Sequence, residues 1–304
     1  MVPCPGCGRA DLSVLVPREL VIEEMEMRRE FFASRLDGPP DPQQQKDRID
    51  VAHGSAAEIL ICRSCVILVR REDEQPDFEE DRYEPFTMER MLRAHIDAFR
   101  RKEALYRAML SRGAKVAEVG SYVGGFLHVA TEWGWDATGV DVGRDTAQFS
   151  RAHGYQTRNE TLEECAFDSG SLDGVFIWNC FEQMTDPHAL LDEVHRILEP
   201  RGTLVLRIPN AAYYIECETR RADREILIAL GHANLLAFPH LYGYTPESLH
   251  QIVMQHGFTQ TRLTGDRHIM PSLRPLNATA RQEAQRVEAL VALPPWIETT
   301  WVAR

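Results

Sequence analysis

Residues 114–141 read AKVAEVGSYVGGFLHVATEWGWDATGVD, and this stretch decides the fold. An apolar, β-branched run from Lys115 to Val119 ends in a turn containing Gly120, Gly124 and Gly125. A helical stretch follows, then a second apolar run that closes on Asp141. Strand, tight turn, helix and strand make a unit suited to a nucleoside. Glycine lets backbone approach a ligand closely, and the helix N-terminus presents unpaired N–H groups. A carboxylate roughly 20 residues further on can accept hydrogen bonds from both ribose hydroxyls.

A dinucleotide site requires G-x-G-x-x-G, whose second glycine makes room for a pyrophosphate. Tyr122 occupies that place, and its ring argues against a diphosphate on the turn. Glu118, two residues before the first glycine, suits a ligand with an ammonium group better than one with phosphates. S-adenosylmethionine has that ammonium, a ribose and no phosphate. The chain here resembles the class I S-adenosylmethionine-dependent methyltransferases, whose first motif is E/D-x-G-x-G-x-G. Glu118, Gly120 and Gly124 match it, with Tyr122 in place of the middle glycine. The rival for the same turn is an NAD-dependent oxidoreductase or epimerase.

Downstream, strand-like runs at Gly139–Val142, Gly174–Trp178 and Thr203–Ile208 alternate with helical patterns near Asp145–His153 and Pro187–Leu198. Such alternation predicts an α/β fold, a Rossmann-like and mostly parallel sheet with helices on both faces. The run from Ser171 to Pro187, with Arg196-Ile-Leu-Glu-Pro-Arg-Gly202 after it, is similar to the fourth-strand region of ubiquinone-biosynthesis-type methyltransferases. There "LEH-V-x-D-P" precedes "R-x-L-x-P-G-G"; Gln183 replaces the histidine and Arg201 the first closing glycine. The resemblance covers roughly residues 112–262. It implies cofactor contacts at Glu118, Gly120, Ser121, Tyr122 and Gly124, with Asp141 and Val142 at the ribose. It also implies Thr161 and Leu162 along the adenine edge and Asn179 beside the methionine part. Members of the family insert a last strand antiparallel, expected here at Pro294–Val302 beside Phe258–Leu263.

The N-terminal region carries Cys4-Pro-Gly-Cys7 and Cys62-Arg-Ser-Cys65. Two C-x-x-C knuckles can place four thiolates on one tetrahedral ion, so Cys4, Cys7, Cys62 and Cys65 are expected to hold a structural Zn2+. The region resembles a zinc ribbon with a helical insertion at Glu19–Leu36. Residues 1–80 are thus expected as a small zinc-binding module, with the acidic strip Glu72–Asp81 as linker, and 81–304 as the methyltransferase domain. Within the latter, Pro85 to Ser111 reads as one helix closed by Arg112-Gly113.

Of the 304 residues, 44% are hydrophobic, enough for a full core, and the formal net charge is −12. That balance disfavours a nucleic-acid partner. Neither a membrane span nor a signal peptide is legible, so a cytoplasmic location is expected. The acceptor is expected to be a small molecule or glycan precursor, with O-methylation favoured and N- or C-methylation open. Residues 211–245, rich in aromatics and histidine, fall where the family carries a substrate lid. A hydroxyl acceptor would call for a base, with His240 and Tyr214 as candidates. His240 reads equally as a residue that only caps a loop. A further alternative is a non-catalytic adapter that keeps the methyltransferase scaffold for docking.

Overall fold

The computed structural model describes residues 3–24, 26, 56–71, 85–219, 240–266, 282 and 293–304. The insertion helix is seen at its start, residues 18–24. Residues 25 and 27–36 of it, the strip Glu72–Asp81 and residues 220–239 of the expected lid lie outside the described residues.

Seven strands form the main sheet: β4 (Lys115–Val119), β5 (Asp136–Val140), β6 (Gln156–Arg158), β7 (Leu172–Trp178), β8 (Leu198–Pro209), β10 (Phe258–Asp266) and β11 (Trp296–Ala303). Their order is β10-β11-β8-β7-β4-β5-β6. The five strands from β8 to β6 are parallel, whereas β11 runs antiparallel to β8 and β10 antiparallel to β11, as the family resemblance implies. From β4 the chain winds outward through β5 and β6, then returns to place β7 on the other side of β4. Two crossovers thus diverge at β4 and open a crevice at the strand ends, where ligands bind in such sheets.

Strand periodicity sorts the core into two layers. Ala117, Val119, Val175, Ile177, Leu204 and Leu206 pack beneath α5 (Pro187–Ile197) and α7 (Pro246–Gln255). Val116, Phe176, Trp178 and Val205 pack beneath α1 (Pro85–Arg100), α2 (Glu103–Tyr106) and α3 (Gly125–Glu132). The single helix expected from Pro85 to Ser111 is therefore two. The chain turns at Lys102, whose φ and ψ of −96° and 2° leave the helical region. That turn brings Tyr106 edge-on to Trp178 at 5.3 Å and Lys102 Nζ to Glu298 Oε2 at 2.5 Å. Full burial of such a ring is worth about 1.5–3 kcal/mol, more than one helical turn. α4 (Arg144–Ala152) follows β5, and α6 (Ala211–Thr219) follows β8.

A second, antiparallel sheet has the order β1-β2-β3-β9, built from Leu12–Val16, Glu58–Cys62, Leu68–Arg71 and Tyr242–Gly243. Its first three strands belong to the N-terminal region, and β9 comes from the end of the expected lid. Cys4, Cys62, Cys65 and Ile67 share one apolar cluster with Tyr244, Leu249 and the main sheet. No helix among the described residues is long and apolar enough to cross a membrane.

Candidate functional site

Glu118 lies at the end of β4 and is 4% exposed, as expected of a residue between two parallel neighbours. Its Oε2 is buried without a hydrogen-bond partner. Desolvation, and after it the charge of Asp141, raises its carboxyl well above the ordinary range. An orphaned buried carboxylate is costly unless a cationic group meets it.

The turn after β4 is bound to β5 through Val140, whose carbonyl accepts from Gly120 N at 2.8 Å and Ser121 N at 3.2 Å. Gly120 has φ 73°, and a Cβ there would stand 2.6 Å from Cys180 Sγ. Gly124 has φ 83° and would meet Tyr155 at 2.5 Å. Tyr122, in place of the motif's glycine, takes a left-handed conformation with φ 49°. Its hydroxyl donates to Met91 Sδ at 2.7 Å, and its ring lies 5.8 Å from that of His95. Gly124 also caps α3 without a side-chain bond, so the first-turn N–H groups of α3 face the turn.

Asp141 lies just past β5. Its Oδ2 accepts from Tyr122 N at 2.6 Å, and its Oδ1 accepts from Gly143 N and Thr146 Oγ1, each at 2.9 Å. Burial raises its pKa while these donors lower it. Val142 is 64% exposed, an apolar side chain left bare beside the acid. Asn159 Nδ2 donates to the carbonyls of both residues at 2.9 Å, tying the segment that carries Thr161 and Leu162 to Asp141. Thr161 is exposed and caps its own turn, its Oγ1 accepting from Glu164 N at 3.3 Å, whereas Leu162 is buried in the core.

On the other side of β4, Asn179 follows β7 with φ 55°. Its N–H donates to Arg207 O at 2.7 Å, and its Oδ1 accepts from the Arg207 guanidinium. Arg207 is buried and lies over the Trp296 ring at 4.3 Å. Its charge adds to desolvation in holding His95 down to about 4. His240 is brought to this same end. Its Nε2 lies 3.3 Å from Gln183 Nε2 and 3.7 Å from Glu182 Oε1.

Tyr214 goes elsewhere. It is fully buried on α6, and its hydroxyl donates to Glu24 Oε2 at 2.9 Å in a cluster shared with Val16, Ile59 and Leu68. The structure thus brings the Glu118–Gly124 turn, Asp141 and Asn179 to the strand ends with His240 beside them, while the Tyr214 hydroxyl is engaged with the N-terminal region. Sequence reading missed Glu182, Arg207 and His95. Glu182 alone carried a signal, as an acid directly after the fourth strand.

The four knuckle cysteines place their Sγ atoms within 4.8 Å of one another. Cys4 and Cys65 are 3.6 Å apart and Cys7 and Cys62 3.7 Å, too far for disulfides. A tetrahedral ion with bonds of ~2.3 Å has edges of about 3.8 Å, so this donor set fits zinc. Without an ion's charge, burial pushes the Cys4 thiol up to about 11.

A methyltransferase domain family matches residues 88–263, more than half of the chain. The C-methyltransferase NovU of Streptomyces niveus is 27% identical over 162 residues, 50% of this chain and 37% of that protein. A ubiquinone biosynthesis O-methyltransferase of Xanthomonas oryzae pv. oryzae is 29% identical over 105 residues, 32% of this chain and 44% of that protein. The matched stretch thus spans less than half the length of either relative. Among solved structures, an S-adenosylmethionine-dependent methyltransferase from Archaeoglobus fulgidus has the same fold, with a TM-score of 0.51, 18% identity and coverage of 71% of this chain and 98% of that one. The strand order, the turn after β4 and the family match agree: the chain belongs to this methyltransferase domain family.

Proposed function

We propose that this methyltransferase acts on a small molecule or glycan precursor, with a hydroxyl oxygen as the favoured acceptor atom. The observation that carries this reading is His240 at the strand ends, joined through Gln183 to Asn179, where a proton can be taken from an acceptor. Of the two relatives above, one is named for carbon and the other for oxygen methylation, and both classes require a proton to leave the acceptor.

The unpartnered Glu118 Oε2 suits the ammonium of the cofactor, and the first-turn N–H groups of α3, uncapped by a side chain, suit its methionine carboxylate. Asp141 suits the ribose hydroxyls, having carboxylate lone pairs left beyond its three donors. Val142 suits the adenine face and Thr161 its edge, whereas the Leu162 side chain packs into the core. When bound, the sulfonium supplies an already activated methyl group. The protein's part is to orient the acceptor, exclude water and let His240 accept the proton. Cys4, Cys7, Cys62 and Cys65 hold a closed structural zinc site that leaves no position for substrate.

The test is a screen of hydroxylated small molecules, sugar nucleotides and carrier-bound intermediates with radiolabelled S-adenosylmethionine. Label on an acceptor oxygen, reduced about 10²–10⁴-fold by His240→Ala, supports the reading. Label only on nitrogen, or turnover indifferent to His240, overturns it.

A further inference from the structure

Glu182 lies in the turn after β7 and is 1% exposed, and neither carboxylate oxygen has a hydrogen-bond partner. A buried carboxylate left this way needs a reason. Its near neighbour of opposite tendency is His240, whose Nε2 lies 3.7 Å from Oε1. The backbone holds the two together, since Leu241 N donates to Glu182 O at 2.9 Å while Leu241 O accepts from Arg70 N of β3 at 2.9 Å.

We propose that Glu182 is a positioning residue for His240, its Oε1 closing from 3.7 Å onto Nε2 to share one proton and so fixing which ring nitrogen is basic. The proposal rests on reading His240 as the base. Burial pushes the Glu182 carboxyl up to about 8, against its own backbone N–H and, after it, the charge of Arg207 from β8. The other titratable groups around it are Cys180 from its own turn and Tyr244 from the segment after β9, both raised by burial with Glu182 contributing. At neutral pH the proton therefore resides on Glu182 and Nε2 is an acceptor. Gln183 reinforces that state. Its amide donates one N–H to Asn179 O at 3.0 Å, and the other is in reach of a bare Nε2 at 3.3 Å.

When the pair loses its proton, Glu182 is ionised, Nε2–H turns to Oε1 and Nδ1 becomes the basic nitrogen. The acceptor's proton then bonds to Nδ1, its electron pair stays on the acceptor atom as the nucleophile, and the Nε2 proton crosses to Oε1. Gln183 donates to the bared Nε2. The replacement of the family's histidine by Gln183 fits this, because an amide can stabilise that state without competing for the proton.

The experiment is a ring-15N titration of the full chain with S-adenosylhomocysteine bound, the His240 signals being those lost in His240→Gln. The wild type is expected to switch His240 from the Nδ1–H to the Nε2–H tautomer with a midpoint near 8. In Glu182→Gln the switch is expected to vanish. One unchanging tautomer in the wild type from about pH 7 to about pH 9, or identical titrations in the two proteins, would overturn the proposal. Should Glu182→Gln not fold, the wild-type titration decides alone, and Glu182→Asp is expected to move the midpoint. The base reading fails separately: turnover retained by His240→Ala would remove it while leaving the tautomer switch intact.

Discussion

The backbone N–H of Tyr122 donates to Asp141 Oδ2 at 2.6 Å, fastening the turn after β4 to the acid that follows β5. Tyr122 stands where the family motif has a glycine and takes a left-handed conformation, with φ 49°. A left-handed backbone costs a side-chain-bearing residue about 1–2 kcal/mol. The charge-assisted bond to Asp141 and the hydroxyl contact to Met91 offset that cost.

Asp141 therefore holds the turn, besides the ribose role proposed for it. Asp141→Asn is expected to weaken S-adenosylhomocysteine binding by about tenfold or more, since hydrogen bonds to charged groups are worth ~1.5–3 kcal/mol. The melting temperature should fall as well, because three donors lose a charged acceptor. Isothermal titration and thermal melting check both, and an unchanged dissociation constant would contradict the role.

Gly124→Ala should be more damaging than a one-carbon change suggests. The new methyl would stand 2.5 Å from Tyr155 and 2.8 Å from Ser150 Oγ, at a φ of 83°. Backbone strain and overpacking together predict a loss of roughly 2–5 kcal/mol. A denaturant midpoint within error of the wild type would refute this.

Glu118 makes the cofactor-free protein sensitive to pH. Its folded pKa is raised, so the folded state keeps a proton that the unfolded chain releases above 4.5. Stability is then expected to fall as pH rises from that value through the raised folded pKa. Glu118→Gln should flatten this slope and stabilise the cofactor-free protein at alkaline pH, yet bind S-adenosylhomocysteine more weakly for want of a charge opposite the ammonium. Melting curves from about pH 5 to about pH 9, with and without the ligand, read both effects; parallel slopes in the two proteins would exclude Glu118 as their source.

Metal analysis should find about one zinc per chain. Because β3 pairs with β9, chelation or Cys62→Ser should unsettle Leu241 and with it His240, besides lowering stability. S-adenosylhomocysteine affinity should change little in protein that stays folded, since the residues proposed to bind it lie on the main sheet. Iron in place of zinc, or a redox-active disulfide, would defeat the assignment.

The sequence by itself determined the parallel sheet, the turn after β4, the acid after β5, the antiparallel last strands and the grouping of the cysteines. Each is written in local periodicity or in short spacing: glycines at one turn, Asp141 at a strand end, Thr245 and Pro246 opening α7 with the cap the structure shows. Tertiary structure alone decided the partners of side chains far apart in the chain. It sent the Tyr214 hydroxyl to Glu24, broke the helix at Lys102 to bury Tyr106, and enlisted Tyr242 and Gly243 into the N-terminal sheet. It also placed Glu182 against His240, 58 positions later in the chain. No period or spacing encodes such a pairing, because it depends on where two loops meet after the sheet has formed.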